Sequence, residues 1–411
     1  MPEKLAVDGG TPVRTRPYPK RPKFGLKDAA QLIEALEQDT LFFAIAKKVY
    51  EFQRRFAELH GAKYAIASTS GTSAIHVAVG SINPEPGSEI ITTSVSDMGT
   101  VAPILLHNCI PVFADIEPET FNLDPASVEE RITDKTAAII VVHCWGQPAD
   151  MDAFMDIARR HKLAIIEDCA QAHLTRYKGR YAGTIGDMGA FSLQDSKHLQ
   201  CGDGGVTITN NDAYGERAEL FVDKGCDWTE DRKYRLRYAF LGPCYRMTEL
   251  QGAVLCAQIE NLPHIVKQRQ TMGDLLVGKL AGLPGVHPPK RFDDREHSYW
   301  SFPLRIEAEA LGVTPARFGE LVAAEGVPCG GNWLGKPLYL FEALMDKITY
   351  GTSHWPYDVT GSTVEYYPGL CPKAEFAMTQ LLTVGIHEGW TEQEVEDAAT
   401  AIHKVVGSLT G

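Results

Sequence analysis

Residues 191–209 read FSLQDSKHLQCGDGGVTIT, and the fold class turns on the segment that the glycines lead into. A glycine-rich turn that opens a helix marks a dinucleotide site. Here Cys201–Gly205 leads into VTIT, a β-branched strand segment, so that reading fails. What remains is a short apolar strand, a single lysine at position 197, and a tight turn into a second strand. Taken alone, Lys197 is either a solvated charge or a nucleophile.

Outward from this stretch, short apolar runs recur: YAIAS at 64–68, EIITT at 89–93, IPVFAD at 110–115, AAIIVVH at 137–143, LAIIED at 163–168, GAFSLQ at 189–194 and VTIT at 206–209. Several are apolar on both faces, the pattern of strands in a covered, mostly parallel sheet. Helical stretches separate most of them, such as TSAIHVAVGSI at 72–82 and ADMDAFMDIARRHK at 149–162. The expectation is an α/β fold whose sheet is flanked by helices on both sides. Ahead of it, after a Pro-rich opening, VYEFQRRFAELHG at 49–61 reads as an amphipathic helix stopped by Gly61.

A helix beginning near Thr248 carries a capping box with Gln251 and is expected to link two domains. Beyond it the texture becomes α+β: SYWSFPLRI at 298–306 as a strand, TPARFGELVAAEG at 314–326 and TEQEVEDAATAIHKVVG at 391–407 as helices. A chain of 411 residues exceeds one core, which gives a large domain over 1–265 and a smaller α+β domain over 266–411.

The formal net charge of −13 opposes binding to a phosphate backbone, so no nucleic-acid partner is expected. The first residues lack an apolar signal core and no run is long enough to span a bilayer. A soluble, cytoplasmic protein with no membrane partner is expected. The nine cysteines are an odd, scattered set without C-x-x-C, which fits neither a disulfide framework nor a zinc ribbon. His143, Cys144, Cys169 and His173 have no metal-site spacing, and no metal is expected.

Three positions fall at or just after strand carboxyl ends, where open α/β sheets gather ligands. Ser70-Gly71-Thr72 is a small-residue turn opening a helix, either an anion cradle or an ordinary cap. Asp168 follows a strand too apolar for a surface edge, so its carboxylate needs a cation or several donors, structural or functional. Ser192 to Lys197 is the third. Together they match the needs of pyridoxal phosphate: an anion cradle, a carboxylate for the ring nitrogen and a lysine to tether the aldehyde.

Here the chain resembles the DegT/DnrJ/EryC1/StrS aminotransferases, enzymes of pyridoxal 5′-phosphate fold type I. The matching segments are SGTSA (70–74), PVFADI (111–116), VVHCWGQPADMDA (141–153), EDCAQAH (167–173), FSLQDSKHLQCGDGG (191–205) and YRMTELQGAV (245–254). The resemblance implies Lys197 as the Schiff-base lysine, Asp168 as partner of the ring nitrogen and Gln171 as neighbour of the ring hydroxyl. Gly71, Thr72 and Ser192 become phosphate contacts, and Gln194 and His198 face the substrate. It also implies a homodimer with shared active sites.

Two positions depart from the family pattern: Asp97 stands where an aromatic ring covers the cofactor, and Cys244 where an asparagine reaches a phosphate across the dimer. Lys197, rather than the histidine of a related dehydratase branch, favours transamination. The segments LAVDGGTPVRTRPYP and FSLQ look most like the branch acting on cyclitol ketones and aminohydroxybenzoate precursors. The activity expected is amino transfer from glutamine or glutamate to a keto-cyclitol or keto-sugar in biosynthesis. A nucleotide-sugar aminotransferase, with Arg232, Lys233, Arg235 and Arg237 as a diphosphate clamp, and a non-catalytic pyridoxal-phosphate-binding regulator are the alternatives.

Overall fold

The computed structural model describes residues 3–227, 238–331 and 334–411. The basic stretch from Arg232 to Arg237 lies outside the described residues. Its centre is a seven-stranded sheet of β1 (Tyr64–Ser68), β2 (Glu89–Thr93), β3 (Ile110–Ala114), β4 (Thr136–Val142), β5 (Ala164–Asp168), β6 (Met188–Ser192) and β7 (Gly205–Thr209). The order is β1-β7-β6-β5-β4-β2-β3. Strands β3, β2, β4, β5 and β6 pair in parallel, while β7 is antiparallel to both β6 and β1. Strands β2, β3, β6 and β7 are buried along their whole length, as strands of a sheet covered on both faces are.

Helices cover both faces. On one side Gly71–Ile82 packs its Ile75, Val77 and Val79 among Ile90, Ile140, Ile166 and Met188. On the other, Phe154 and Ile157 of the helix Met151–His161 meet Ile91, Ile139, Val141 and Ile165. A second, antiparallel sheet comes later in the chain, built from β8 (Val286–His287), β9 (Phe302–Ile306), β10 (Cys329–Gly331) and β11 (Leu381–Val384) in the order β8-β9-β11-β10. It packs against the end of helix Glu249–Leu280 and the terminal helix Glu392–Thr410.

The helix from Glu249 opens with the Thr248/Gln251 capping box and runs unbroken to Leu280, past the expected division at 265/266. Much of the segment between Leu334 and Met378 packs on Phe113 and Val142 of the large sheet and on Val95 just beyond β2. Two elements differ from expectation. SYWSFPLRI is a strand only from Phe302, because Tyr299 sits at φ 49° and turns the chain first. The helices Leu26–Glu37 and Met98–Leu106 were not expected; the second is short, contains Pro103 and lacks a polar face. No helix among the described residues is long and apolar enough to cross a membrane, and every cysteine is a free thiol.

Candidate active site

The carboxyl ends of β1, β2, β4, β5 and β6 open onto a cavity of about 590 Å3. Its lining includes Gly71, Thr72, Asp97, Asp168, Gln171, Ser192, Gln194 and Lys197, residues separated by more than a hundred positions in sequence. The parallel sheet is what brings them together, since each crossover returns the chain to the same edge.

The anion cradle is built at the first crossover. Ser70 caps the helix Gly71–Ile82 by accepting from the Ser73 N–H at 3.0 Å. The first N–H groups of the helix, Gly71 and Thr72, have no acceptor within the helix itself. A Cβ on Gly71 would lie 2.7 Å from Ser192 Cβ, so glycine lets Ser192 approach the turn. The same logic explains the CGDGG run. Gly202 takes φ 91°, and a Cβ on Gly205 would stand 2.0 Å from the Ser70 carbonyl oxygen. The second strand of the opening motif thus passes directly beneath the cradle.

Asp168, at the end of β5, is buried. Its Oδ2 accepts from the Thr100 hydroxyl at 2.7 Å and its Oδ1 from the Ala170 N–H at 3.0 Å. Because Thr100 gives its only proton to Asp168, the 2.7 Å contact with Ser96 has Ser96 donating to Thr100. Burial pushes the Asp168 carboxyl up, opposed by these two hydrogen bonds and by the charge of Lys197. Only neutral groups hydrogen-bond to it, so a cation facing it from the cavity would be favoured.

Lys197 Nζ lies 3.9 Å from the centroid of the Trp300 ring and makes no hydrogen bond or ion pair among the described residues. Burial pulls its pKa down to about 8, against the opposing charges of Asp168 and Asp97. Trp300 is stacked in turn on Trp145, 5.8 Å apart and 14° from parallel. Gln171 is fixed by the Trp145 N–H, which donates to its Oε1 at 2.6 Å.

Asp97 is exposed at the cavity rim and caps the helix Met98–Leu106 through the Gly99 N–H at 2.8 Å. Gln194 is also exposed, and its Oε1 accepts from the Ser196 N–H at 2.8 Å. Two expected site residues are not in the cavity of this chain. His198 is fully buried, its ring next to His173, with Nε2 donating to the Ser298 carbonyl at 2.9 Å. The chain turns at Lys197, so neighbouring side chains point to opposite sides, and His198 is a core group rather than a substrate contact. Cys244 is exposed and pairs its main chain with Asp223.

Of the four residues weighed as metal ligands, His143 and Cys169 come together with Glu167, all three buried and their ligand atoms within 4.8 Å of one another, whereas Cys144 and His173 are not part of that group. His143 Nδ1 accepts from the Ala149 N–H, so Nε2 carries the proton it gives to Glu167 at 3.0 Å. His173 Nε2 donates to the Ser192 carbonyl instead. Sequence reasoning missed Ser96, Thr100, Asp203 and Trp300 as cavity residues. Thr100 lies three residues after Asp97, which the sequence had singled out, but Trp300 was hidden inside what read as a strand.

Residues 25–403 match the model of the DegT/DnrJ/EryC1/StrS aminotransferase family. A protein of Micromonospora echinospora provisionally named L-glutamine:3-amino-2,3-dideoxy-scyllo-inosose aminotransferase is 35% identical over 99% of this chain and 97% of its own. The L-glutamine:2-deoxy-scyllo-inosose aminotransferase of the same organism is 37% identical over 78% of this chain and 79% of its own. The crystal structure of 3-amino-5-hydroxybenzoic acid synthase superposes with a TM-score of 0.83 at 25% identity, covering 96% of this chain and 100% of that one.

Proposed function

The chain belongs to the DegT/DnrJ/EryC1/StrS aminotransferase family, and on that premise we propose that it moves an amino group from glutamine or glutamate to a free keto-cyclitol, using pyridoxal 5′-phosphate. The observation that carries the cofactor is one cavity holding a helix N-terminus, a buried carboxylate bonded only to neutral donors, and an unpaired lysine of lowered pKa. When bound, pyridoxal phosphate supplies the electron sink that lets an amino group leave a donor and join an acceptor.

The chain's residues would divide the work. Gly71, Thr72 and Ser192 offer N–H and hydroxyl donors to the phosphate. Asp168 keeps lone pairs for a protonated ring nitrogen, with Thr100 and Ala170 holding its orientation. Gln171, pinned by the Trp145 main-chain N–H, would neighbour the ring hydroxyl. Near pH 8 the Lys197 amine is half neutral, so Nζ can both give and accept a proton, and the Trp300 face steadies its charged form.

The acceptor class rests on charge. Among the described lining residues the charged ones are Asp97, Asp168, Asp203 and Lys197, beside the hydroxyls and amides of Ser70, Thr72, Ser96, Gln171, Gln194 and Ser196. That surface suits the hydroxyls of a polyol ring. The two inosose aminotransferases of Micromonospora echinospora are named for ketones of that kind.

Assembly belongs to the same reading. Leu26, Ile33 and Leu36 of one helix and the nearby Ile45 are exposed, an apolar surface that a homodimer would cover. Cys244, away from its own cavity, would then face the partner's. Sedimentation should give a dimer, and Ile33→Glu should shift it toward monomer. The function is tested by loading the enzyme with glutamine and then adding an inosose-type ketone or a nucleotide-linked keto-sugar while cofactor absorbance is tracked. Recovery with the inosose supports the proposal, and recovery with the nucleotide sugar alone overturns it. A protein whose cofactor absorbance responds to neither glutamine nor glutamate is a binder rather than an enzyme.

A further inference from the structure

Two walls of the cavity, the Lys197 loop and the Trp300 segment, are each gripped by an arginine, and one buried glutamate joins the two. Arg21, from the opening segment, donates to the carbonyls of Asp195 at 3.2 Å, Lys197 at 2.6 Å and His198 at 3.2 Å. Arg269, from the long helix, donates to the carbonyls of Tyr299 at 3.4 Å and Trp300 at 3.2 Å. Glu388, between β11 and the terminal helix, takes Arg21 at 2.7 Å on Oε1 and Arg269 at 2.8 Å on Oε2. The glutamate and both guanidiniums are largely shielded from solvent.

We propose that Arg21, Glu388 and Arg269 form a positioning clamp that sets where Lys197 stands against Trp300. The clamp holds main-chain carbonyls and leaves Nζ free. Lys197 can then swing by side-chain rotation alone while its anchor stays fixed, the condition under which a proton carrier keeps its alignment through a reaction. The planar forks of arginine suit this task because each reaches several carbonyls at once, which a lysine does not. This inference rests on reading Lys197 as the cofactor lysine.

The competing explanation is that Arg21 merely staples the opening segment to the fold. That staple exists elsewhere: Arg14 binds Glu394 at 2.9 Å and Asp397 at 2.6 Å, and Glu325 accepts from the N–H groups of Ala6 and Val13. Arg14 touches no cavity residue, so Arg14→Met is the control for stapling.

The test compares Arg21→Met, Arg21→Lys and Arg14→Met. We expect Arg21→Met to keep its fold and its cofactor, but to slow the glutamine half-reaction at saturating donor by about 10- to 100-fold. The pH at which its bound-cofactor absorbance changes should also move. Arg21→Lys should recover part of both, while Arg14→Met lowers the melting temperature and leaves both unchanged. Hydrogen exchange on the cofactor-free chain gives an independent readout: amides of 194–201 should exchange faster in Arg21→Met than in wild type. Wild-type rate and absorbance midpoint in Arg21→Met, or the same losses in Arg14→Met, overturn the clamp. If the wild type takes up no cofactor, the functional reading falls, and unchanged exchange at 194–201 would still reject the clamp by itself.

Discussion

Replacing Thr100 with valine removes one hydroxyl and keeps the shape of the side chain. Asp168 then loses its 2.7 Å donor and retains only the Ala170 N–H. A hydrogen bond to a charged group contributes about 1.5–3 kcal/mol, and roughly 1.4 kcal/mol is a factor of ten. Without cofactor, the buried carboxyl escapes much of that loss by protonating, since burial already pushes its pKa up and the Thr100 bond was holding it down. Binding a ring that presents N–H+ requires it to ionise again, so the loss falls on cofactor affinity. The expected result is pyridoxal phosphate binding up to about 10- to 100-fold weaker, with the deficit shrinking as pH rises. Ser96, buried, also loses its acceptor, which should lower the melting temperature with or without cofactor. Ser96→Ala/Thr100→Val should restore melting but not affinity, and Thr100→Ser should restore affinity. Equilibrium binding from pH 6 to 8.5 decides: wild-type affinity in Thr100→Val, or no rescue by serine, refutes the role given to this hydroxyl.

Lys197→Met should abolish cofactor tethering and activity while the cofactor-free protein melts no lower than wild type at pH 7. The sign comes from linkage: with a folded pKa near 8 and an unfolded value of roughly 10.4, the unfolded chain holds more protons in between. Wild-type stability therefore rises with pH across that window, and its melting temperature should gain on the methionine variant there; a flat difference would contradict the buried-amine assignment. Capture of pyridoxal phosphate by the cofactor-free chain should accelerate with a midpoint near pH 8, whereas a midpoint above 10 would mean a solvated lysine. Gly205→Ala, whose Cβ would stand 2.0 Å from the Ser70 carbonyl, should cost about 1–3 kcal/mol or more and weaken phosphate binding, measured by denaturation and by inorganic phosphate protection. Gly202→Ala, with open space around its Cβ, should cost only the strain of a positive φ, about 1–2 kcal/mol, and leave phosphate binding intact.

Local chemistry made much of this molecule legible in one dimension. Strands of a sheet covered on both faces are rich in apolar and β-branched residues, so β1 to β7 could be read as short runs within a residue or two of their ends. Caps are written in neighbouring residues, so the helices from Gly71 and Glu249 announced their starts. Lys197, Asp168 and the Gly71–Thr72 turn could be singled out because each stands at a strand end, where an apolar run stops at a residue that apolar packing does not explain. What chain order does not carry is which side a residue takes once the chain leaves regular structure. His198 and Gln194 flank the same loop, yet one is sealed in the core and the other opens to the cavity, because loops have no period from which to count faces. Trp300 reached the site only because Tyr299 turns the chain at φ 49°, and Thr100 because a short helix with no polar face aims it at Asp168. Most of all, Arg21, Arg269 and Glu388 lie more than a hundred residues apart and carry no motif. Three long-range ionic side chains can find one another only after both sheets are packed, so their meeting behind Lys197 was decided by the tertiary structure alone.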